Sequence, residues 1–159
     1  SKSVETLVRI FRRLLEEQQP VLATRIEVDK ATDLLQQLPA GRYNAAARTF
    51  RIDVNSTPPG PIGLVAIVTA GTSDIAVAEE VRETADWMGA GTDLIVDVGV
   101  AGPQRLLAKL DRITKADAVV VVAGMEAALA SVVGGPVACP VIAVPTSMGY
   151  GAVLGGMAA

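Results

Sequence analysis

The chain has no histidine and a single cysteine, and each shortage removes a class of function. Without histidine, a general acid or base has to be Asp, Glu, Lys, Tyr or Cys, and metal sites built on histidine are excluded. One cysteine excludes a disulfide framework and a cysteine-rich zinc site, and is typical of a reducing compartment. No apolar run reaches the ~18 residues that a membrane span needs, and no signal segment opens the chain. We therefore expect a cytoplasmic, globular protein without membrane contacts, and the sequence singles out no metal-ligating residue.

The composition that remains is globular, with 50% apolar residues, 19% charged residues and a net charge of −3. The charge is uneven, because residues 1–53 carry a net +2 and residues 54–159 a net −5. The one basic cluster, Arg9, Arg12 and Arg13, is interleaved with glutamates, which indicates a solvated helix face. We expect no nucleic-acid partner.

The first 54 residues predict a small α+β domain. Apolar spacing and proline or glycine stops predict helices at 3–18 and 28–38 and strands at 21–26 and 49–54. Three prolines and a glycine within residues 55–61 predict a linker, since neither a helix nor a central strand continues through them.

Residues 62–159 predict a flavodoxin-like, three-layer, doubly wound parallel sheet. Continuous Val- and Ile-rich runs are typical of strands buried on both faces, and amphipathic segments between them require parallel pairing. The predicted strands are 63–69, 94–98, 118–123 and 141–144, and the helices lie near 77–88, 106–113 and 129–133. Because the chain starts at Ser1 and no fifth strand follows residues 152–159, we expect a fragment, incomplete at one or both ends.

Small and polar residues follow each predicted strand. Ligands of open parallel sheets bind beyond the carboxyl ends of the strands, where glycine permits close backbone approach and hydroxyls or arginine hold anions. The candidate substrate-binding residues are Thr69, Gly71, Thr72, Ser73, Asp74, Asp97, Gly99, Gly102, Arg105, Gly124, Met125, Ser131, Pro145, Thr146, Ser147, Gly149 and Tyr150. Ser73 or Asp74 is alternatively a helix cap, and Arg105 a plain surface residue.

Two carboxylates are candidate proton carriers, Glu126 and Asp74. Glu126 is the only acid near the end of the third predicted strand, although helix dipoles also favour an acid in a first turn. Cys139 lies at the opposite end of the sheet and is interpreted as an inert, packed thiol.

Together these segments resemble the LarB family of nickel-pincer cofactor biosynthesis proteins, whose second half is similar to the aminoimidazole ribonucleotide carboxylases (PurE-like). The resemblance covers about residues 62–156, and residues 1–54 are similar to the family's small N-terminal domain. It rests on VTAGTSD at 68–74, DVGVAG at 97–102, AGME at 123–126, SVVGG at 131–135 and PVIAVPTS at 140–147.

The resemblance implies a carboxylase and hydrolase acting on nicotinic acid adenine dinucleotide. In that family the pyridinium ring is carboxylated at C5 from CO2 or bicarbonate. The phosphoanhydride is then hydrolysed to AMP and pyridinium-3,5-biscarboxylic acid mononucleotide. The resemblance implies no covalently bound cofactor and leaves a need for Mg2+ open. It also implies a homo-oligomer of even order, as in the octameric related carboxylases.

This chain departs from the family pattern in three ways. Gln104 stands where the family usually has histidine, and the family's nucleophilic cysteine belongs to a segment after residue 159. Ala127 and Ala130 replace a common glycine and proline, which we interpret as ordinary packing variation. Two alternatives stay open: an aminoimidazole ribonucleotide carboxylase or mutase, and a nucleotide-binding regulatory domain without catalysis.

Overall fold

The computed structural model describes residues 2–54, 60–124 and 127–147. The chain divides into two compact units, Ser1–Pro59 and Gly60–Ala159. The predicted linker spans this division, and residues 55–59 lie outside the described ranges. None of the helices in those ranges has the length and apolar character needed to cross a bilayer.

The first unit packs two helices against a three-stranded antiparallel sheet of order β1-β3-β2. Its elements are α1 (Val4–Glu16), β1 (Val21–Ala23), α2 (Val28–Gln37), β2 (Arg42–Asn44) and β3 (Thr49–Ile52). Strand β2 was not predicted, because Arg-Tyr-Asn has no apolar alternation and forms a strand only by pairing with β3. Strand β1 is shorter than predicted, since its pairing with β3 ends at Ala23.

The core of the first unit is built around two stacked phenylalanines. The rings of Phe11 on α1 and Phe50 on β3 stack with centroids 5.8 Å apart. Ser3 caps α1, since its hydroxyl accepts a hydrogen bond from the N–H of Thr6 at 3.3 Å. The apolar stripe of α1 thus faces the sheet, and Arg9 and Arg12 face solvent as predicted.

The second unit has the parallel flavodoxin-like, PurE-like arrangement that the sequence predicts, with strand order β5-β4-β6-β7. Its strands are β4 (Leu64–Thr69), β5 (Gly91–Ile95), β6 (Ala118–Ala123) and β7 (Val141–Pro145). Its helices are α3 (Ile75–Trp87), α4 (Pro103–Leu107), α5 (Leu110–Ile113) and α6 (Ala128–Gly134), and a single 3-10 turn at Thr72–Asp74 precedes α3.

Alternating residues of the central strands pack into two hydrophobic cores, one on each face of the sheet. Val119 and Val121 of β6 pack under α4, α5 and α6, whereas Val120 and Val122 pack on the face that α3 covers. The edge strands are less buried than predicted: Ile142 of β7 is 54% exposed. Continuous apolar runs therefore mark full burial only in the centre of this sheet.

Two predicted boundaries in this unit are wrong. The second strand is Gly91–Ile95, not 94–98, because pairing with β4 begins at Gly91 and the chain leaves the sheet after Ile95. The predicted helix 106–113 is two short helices, α4 and α5. The guanidinium of Arg112 donates from Nε to Oδ2 of Asp93 at 2.9 Å, which raises the pKa of Arg112 and ties α5 to the edge strand β5.

Candidate functional site

Parallel pairing brings the carboxyl ends of β4 to β7 to one edge of the sheet. The described residues that follow these ends form what we call the strand-end rim: residues 69–74, 96–102, 124 and 145–147. Cys139 precedes β7 and so lies toward the opposite edge, partly buried against the core. A ligand at the rim would meet loops from all four strands.

The loop after β4 presents two hydroxyls to solvent. Thr72 and Ser73 are exposed, and their backbone N–H groups donate no backbone hydrogen bond to another described residue. Exposed N–H and hydroxyl donors at the start of a helical segment suit an anionic oxygen. Gly71 between β4 and these donors has an extended backbone, with φ of −144°.

Asp74, in contrast, is turned into the protein and is only 3% exposed. Its Oδ1 accepts a hydrogen bond from the hydroxyl of Thr146 at 2.8 Å, and its Oδ2 accepts the N–H of Gly71 at 3.1 Å. Thr146 is also buried, and its N–H donates to the carbonyl of Ala123 at 2.9 Å. The buried carboxylate therefore joins the ends of β4 and β7, and the backbone of Thr146 continues the contact to the end of β6.

Thr69 forms the corresponding link on the other side of β4. It is fully buried, and its hydroxyl accepts the backbone N–H of Asp97 at 3.3 Å. The next amides continue this contact, since the N–H groups of Val98 and Gly99 donate to the carbonyls of Thr69 and Ala70. The loop after β5 is thus held against the loop after β4.

Gly99 permits that close contact. A Cβ at this position would lie 2.7 Å from the carbonyl oxygen of Ala70, a distance that real Cβ atoms do not show. A Cβ at Gly71 would meet nothing nearer than 3.8 Å among the described atoms. The requirement for glycine inside the fold is therefore strict at Gly99 and weak at Gly71.

Arg105 brings a cation to the rim. Its Nη1 lies 3.0 Å from Oδ2 of Asp97, and both side chains are about half exposed, at 45% and 50%. Asp97 has a left-handed backbone, with φ of 59°, which aspartate tolerates better than most residues. The guanidinium lies over Gly102, where a Cβ would come within 2.8 Å of Nε. Gly102 thus leaves room for a cation that is still accessible from solvent.

The other predicted site residues fall into three groups. Gly124 and Pro145 are half-buried at the ends of β6 and β7, and Ser147 is exposed beside them. Ser131 is exposed on α6, and no described contact joins it to the rim. Met125, Glu126, Gly149 and Tyr150 lie outside the described residues, so their predicted roles stay predictions. Within the described ranges, no group of three or more Cys, Asp or Glu side chains is placed to hold a metal ion.

Ala127, next to that region, corrects one interpretation. It has a left-handed backbone with φ of 53° and is 6% exposed. A left-handed residue with a Cβ costs roughly 1–2 kcal/mol, which glycine avoids. The difference from the family's glycine is therefore a backbone strain and not ordinary packing variation. Nothing in the sequence marked the conformation apart from the family pattern.

Comparison with known families divides the chain as the fold does. Residues 1–55 match a LarB/PurE-like N-terminal domain, and residues 64–158 match AIR carboxylase. An uncharacterized protein of Methanocaldococcus jannaschii is 40% identical over 157 residues. That alignment covers 94% of this chain and 61% of the relative, so the chain spans about three-fifths of the relative's length.

The AIR carboxylase match takes in every strand and helix of the second unit, including all four strand ends that form the rim. The N-terminal match adds the antiparallel unit that precedes it. From these two matches and the parallel sheet, the chain belongs to the AIR carboxylase family, in the branch that carries a LarB/PurE-like N-terminal domain.

Proposed function

We propose that this protein is a carboxylase and hydrolase of nickel-pincer cofactor biosynthesis. Its substrate would be nicotinic acid adenine dinucleotide, carboxylated at C5 of the pyridinium ring from CO2 or bicarbonate. Hydrolysis of the phosphoanhydride would then give AMP and pyridinium-3,5-biscarboxylic acid mononucleotide. The observation that supports this most is the pairing of a LarB/PurE-like domain with an AIR carboxylase domain in one chain.

The side chains at the rim are of the kinds that bind phosphates, which supports the proposal. Arg105 is half-exposed and supplies the positive charge, while Thr72 and Ser73 supply exposed hydroxyls and N–H donors. A charge-assisted hydrogen bond from arginine to an anion contributes about 1.5–3 kcal/mol. In the proposal these residues hold the phosphoanhydride, and Asp97 keeps the guanidinium in place until the ligand arrives.

The carboxylation needs a nucleophile and a base. Addition of a thiolate to the pyridinium ring removes its positive charge and makes C5 an enamine carbon that attacks CO2. A base then takes the proton from C5, and departure of the thiolate restores the aromatic ring. We assign the proton transfer to Glu126 and the thiolate to the cysteine that the family pattern places after residue 159.

A second candidate function is that of an aminoimidazole ribonucleotide carboxylase or mutase. The match to AIR carboxylase over residues 64–158 favours it. That substrate carries one phosphate monoester and is itself an enamine, so it needs no thiolate. The two functions therefore differ in their requirement for a cysteine and in the release of AMP.

The deciding experiment is incubation of the full-length protein with 13C-bicarbonate and each substrate in turn. With nicotinic acid adenine dinucleotide, we expect equal amounts of AMP and a mononucleotide that has gained one labelled carboxylate, detected by mass spectrometry. Labelled product from aminoimidazole ribonucleotide alone would favour the second function. No turnover of either substrate would contradict both.

A further inference from the structure

We infer that Asp74 is a positioning residue, which fixes the loop after β4 through Thr146, and that it does not carry a proton in the reaction. This inference rests on the proposed function, because it concerns the same site. It also means that the proton transfer belongs to a group other than Asp74, although Asp74 is next to the exposed hydroxyls.

The geometry of the carboxylate carries the inference. Both of its oxygens accept hydrogen bonds from this chain, one from the Thr146 hydroxyl and one from the Gly71 N–H. Asp74 and Thr146 are 3% and 5% exposed. A general base must reach the proton that it removes within hydrogen-bond distance. Asp74 is turned into the protein, so its carboxylate is not presented to a ligand on the solvent side of the rim.

The same contacts explain what the carboxylate does. Thr72 and Ser73 lie between Gly71, whose N–H donates to the carboxylate, and Asp74, which carries it. A fixed Asp74 therefore holds the backbone from which both exposed hydroxyls project. Thr146 is itself fixed by the carbonyl of Ala123 at the end of β6. The loop is therefore ordered before a ligand binds, and precise placement of this kind governs binding and rate.

The inference is tested by substitutions that separate geometry from proton transfer. In Asp74→Asn the amide oxygen can accept from Gly71 while its NH2 donates to Thr146, so the loop keeps both attachments. We expect this variant to retain kcat within about tenfold, whereas loss of a general base costs 10²–10⁴-fold. Thr146→Val removes the hydroxyl at constant size and should raise KM by about tenfold or more. Thr146→Ser keeps the hydroxyl and should therefore keep the KM of the unmodified protein.

The pH–rate profile is an independent test of whether Asp74 carries a proton. If Asp74 carries the proton, one limb of the profile disappears in Asp74→Asn, because the amide cannot take up a proton in its place. We expect both limbs to stay where they are. A lost limb, or a loss of kcat above a hundredfold with unchanged KM, in Asp74→Asn overturns the inference.

Failure of the proposed function can be told apart from failure of the inference. If the unmodified protein does not turn over the dinucleotide, the proposed function is wrong. The role of Asp74 is then decided by amide hydrogen exchange at Gly71, whose N–H donates to the carboxylate. Faster exchange in Thr146→Val than in Thr146→Ser supports the positioning role, and equal exchange in the two variants overturns it.

Discussion

The two units of this chain differ in their buried polar side chains, although both carry ion pairs at the surface. In the first unit the ion pairs lie at the surface, such as Arg13 with Glu17 and Arg48 with Glu27. In the second unit three buried polar side chains, Thr69, Asp74 and Thr146, hydrogen-bond the ends of the strands together. Exposed pairs contribute about 0–1 kcal/mol, whereas a buried group left without its partner is expensive. The first unit is therefore held by its apolar core, and the second also by polar contacts that shape the site.

Gly99→Ala should destabilise the second unit more than any other substitution below, because it separates the loops after β4 and β5. The new Cβ would meet a backbone carbonyl at 2.7 Å, which cannot move as a side chain can. We expect the free energy of unfolding to fall by about 2–3 kcal/mol in chemical denaturation. Gly71→Ala is the control and should change it by less than about 1 kcal/mol. Equal losses in the two variants would show that the loops are not in tight contact.

The same substitution in the two units should give opposite results. Thr146→Val leaves Oδ1 of the buried Asp74 without its donor and should lower the free energy of unfolding by about 1–3 kcal/mol. The hydroxyl of Thr49 in β3 is buried with no partner among the described residues. Thr49→Val should therefore leave stability unchanged or raise it by up to about 1 kcal/mol. A loss at both positions, measured by thermal unfolding, would contradict the contrast.

Arg105→Ala should weaken binding more than stability. Its pairing with Asp97 is half-exposed, so removing it should cost less than about 1 kcal/mol of unfolding free energy. Loss of one charge-assisted hydrogen bond to the dinucleotide should lower affinity by roughly ten- to a hundredfold in calorimetry. Arg48→Ala in the first unit is the matched exposed pair and should leave affinity unchanged. Unchanged affinity in Arg105→Ala would make it a plain surface residue.

Ala127→Gly should stabilise the second unit, since glycine adopts the left-handed backbone without strain. We expect a gain of about 0.5–1 kcal/mol after the entropic cost of glycine is included. Ala130→Gly, inside the regular helix α6, is the control and should lose about as much. A loss in both variants would mean that the Ala127 methyl contributes more to the core than its backbone strain costs.

The smallest effect is expected from Glu5 in the first turn of α1. Hydrogen bonds from its own backbone N–H and from the Ser3 hydroxyl hold the pKa of Glu5 below its usual range. The carboxylate therefore favours folding above the ordinary carboxyl pKa, and this contribution is lost as the pH falls through the lowered value. Glu5→Gln should melt slightly earlier at pH 7, and the difference should disappear as the pH falls through the lowered pKa of Glu5. A difference that persists in acid would point to a cause other than charge.

In the parallel sheet, the sequence predicted the bounds of β4, β6 and β7 to within one residue and misplaced only the edge strand β5. Strand β6 has the predicted bounds, because Val119 to Val122 are buried on both faces and leave no other period. The predicted bounds of strand β5 lay too far toward the C-terminus, because Thr92 and Asp93 resemble loop residues. An edge strand tolerates both. The helix 106–113 was split because its apolar residues keep a helical period across a break that only the backbone reveals.

Within the strand-end rim, the sequence did not show which polar side chains face solvent. Thr69, Thr72 and Thr146 are alike in sequence, each in a polar segment at a strand end. The structure buries Thr69 and Thr146 as internal hydrogen-bond partners and exposes only Thr72. Which way a side chain points depends on where the chain leaves the sheet, and an error of one residue reverses it. Residue type therefore located the region, and burial separates contact residues from supporting ones.

The contact between Asp74 and Thr146 also has a kinetic consequence, since it joins residues 72 positions apart. Contacts of such sequence separation form late in folding, after the intervening chain has been ordered. Intermediates in which β4 and β6 have paired but β7 has not yet docked would possess much of the core and lack the ordered loop. A ligand of the rim is then expected to slow unfolding and to leave the refolding rate almost unchanged.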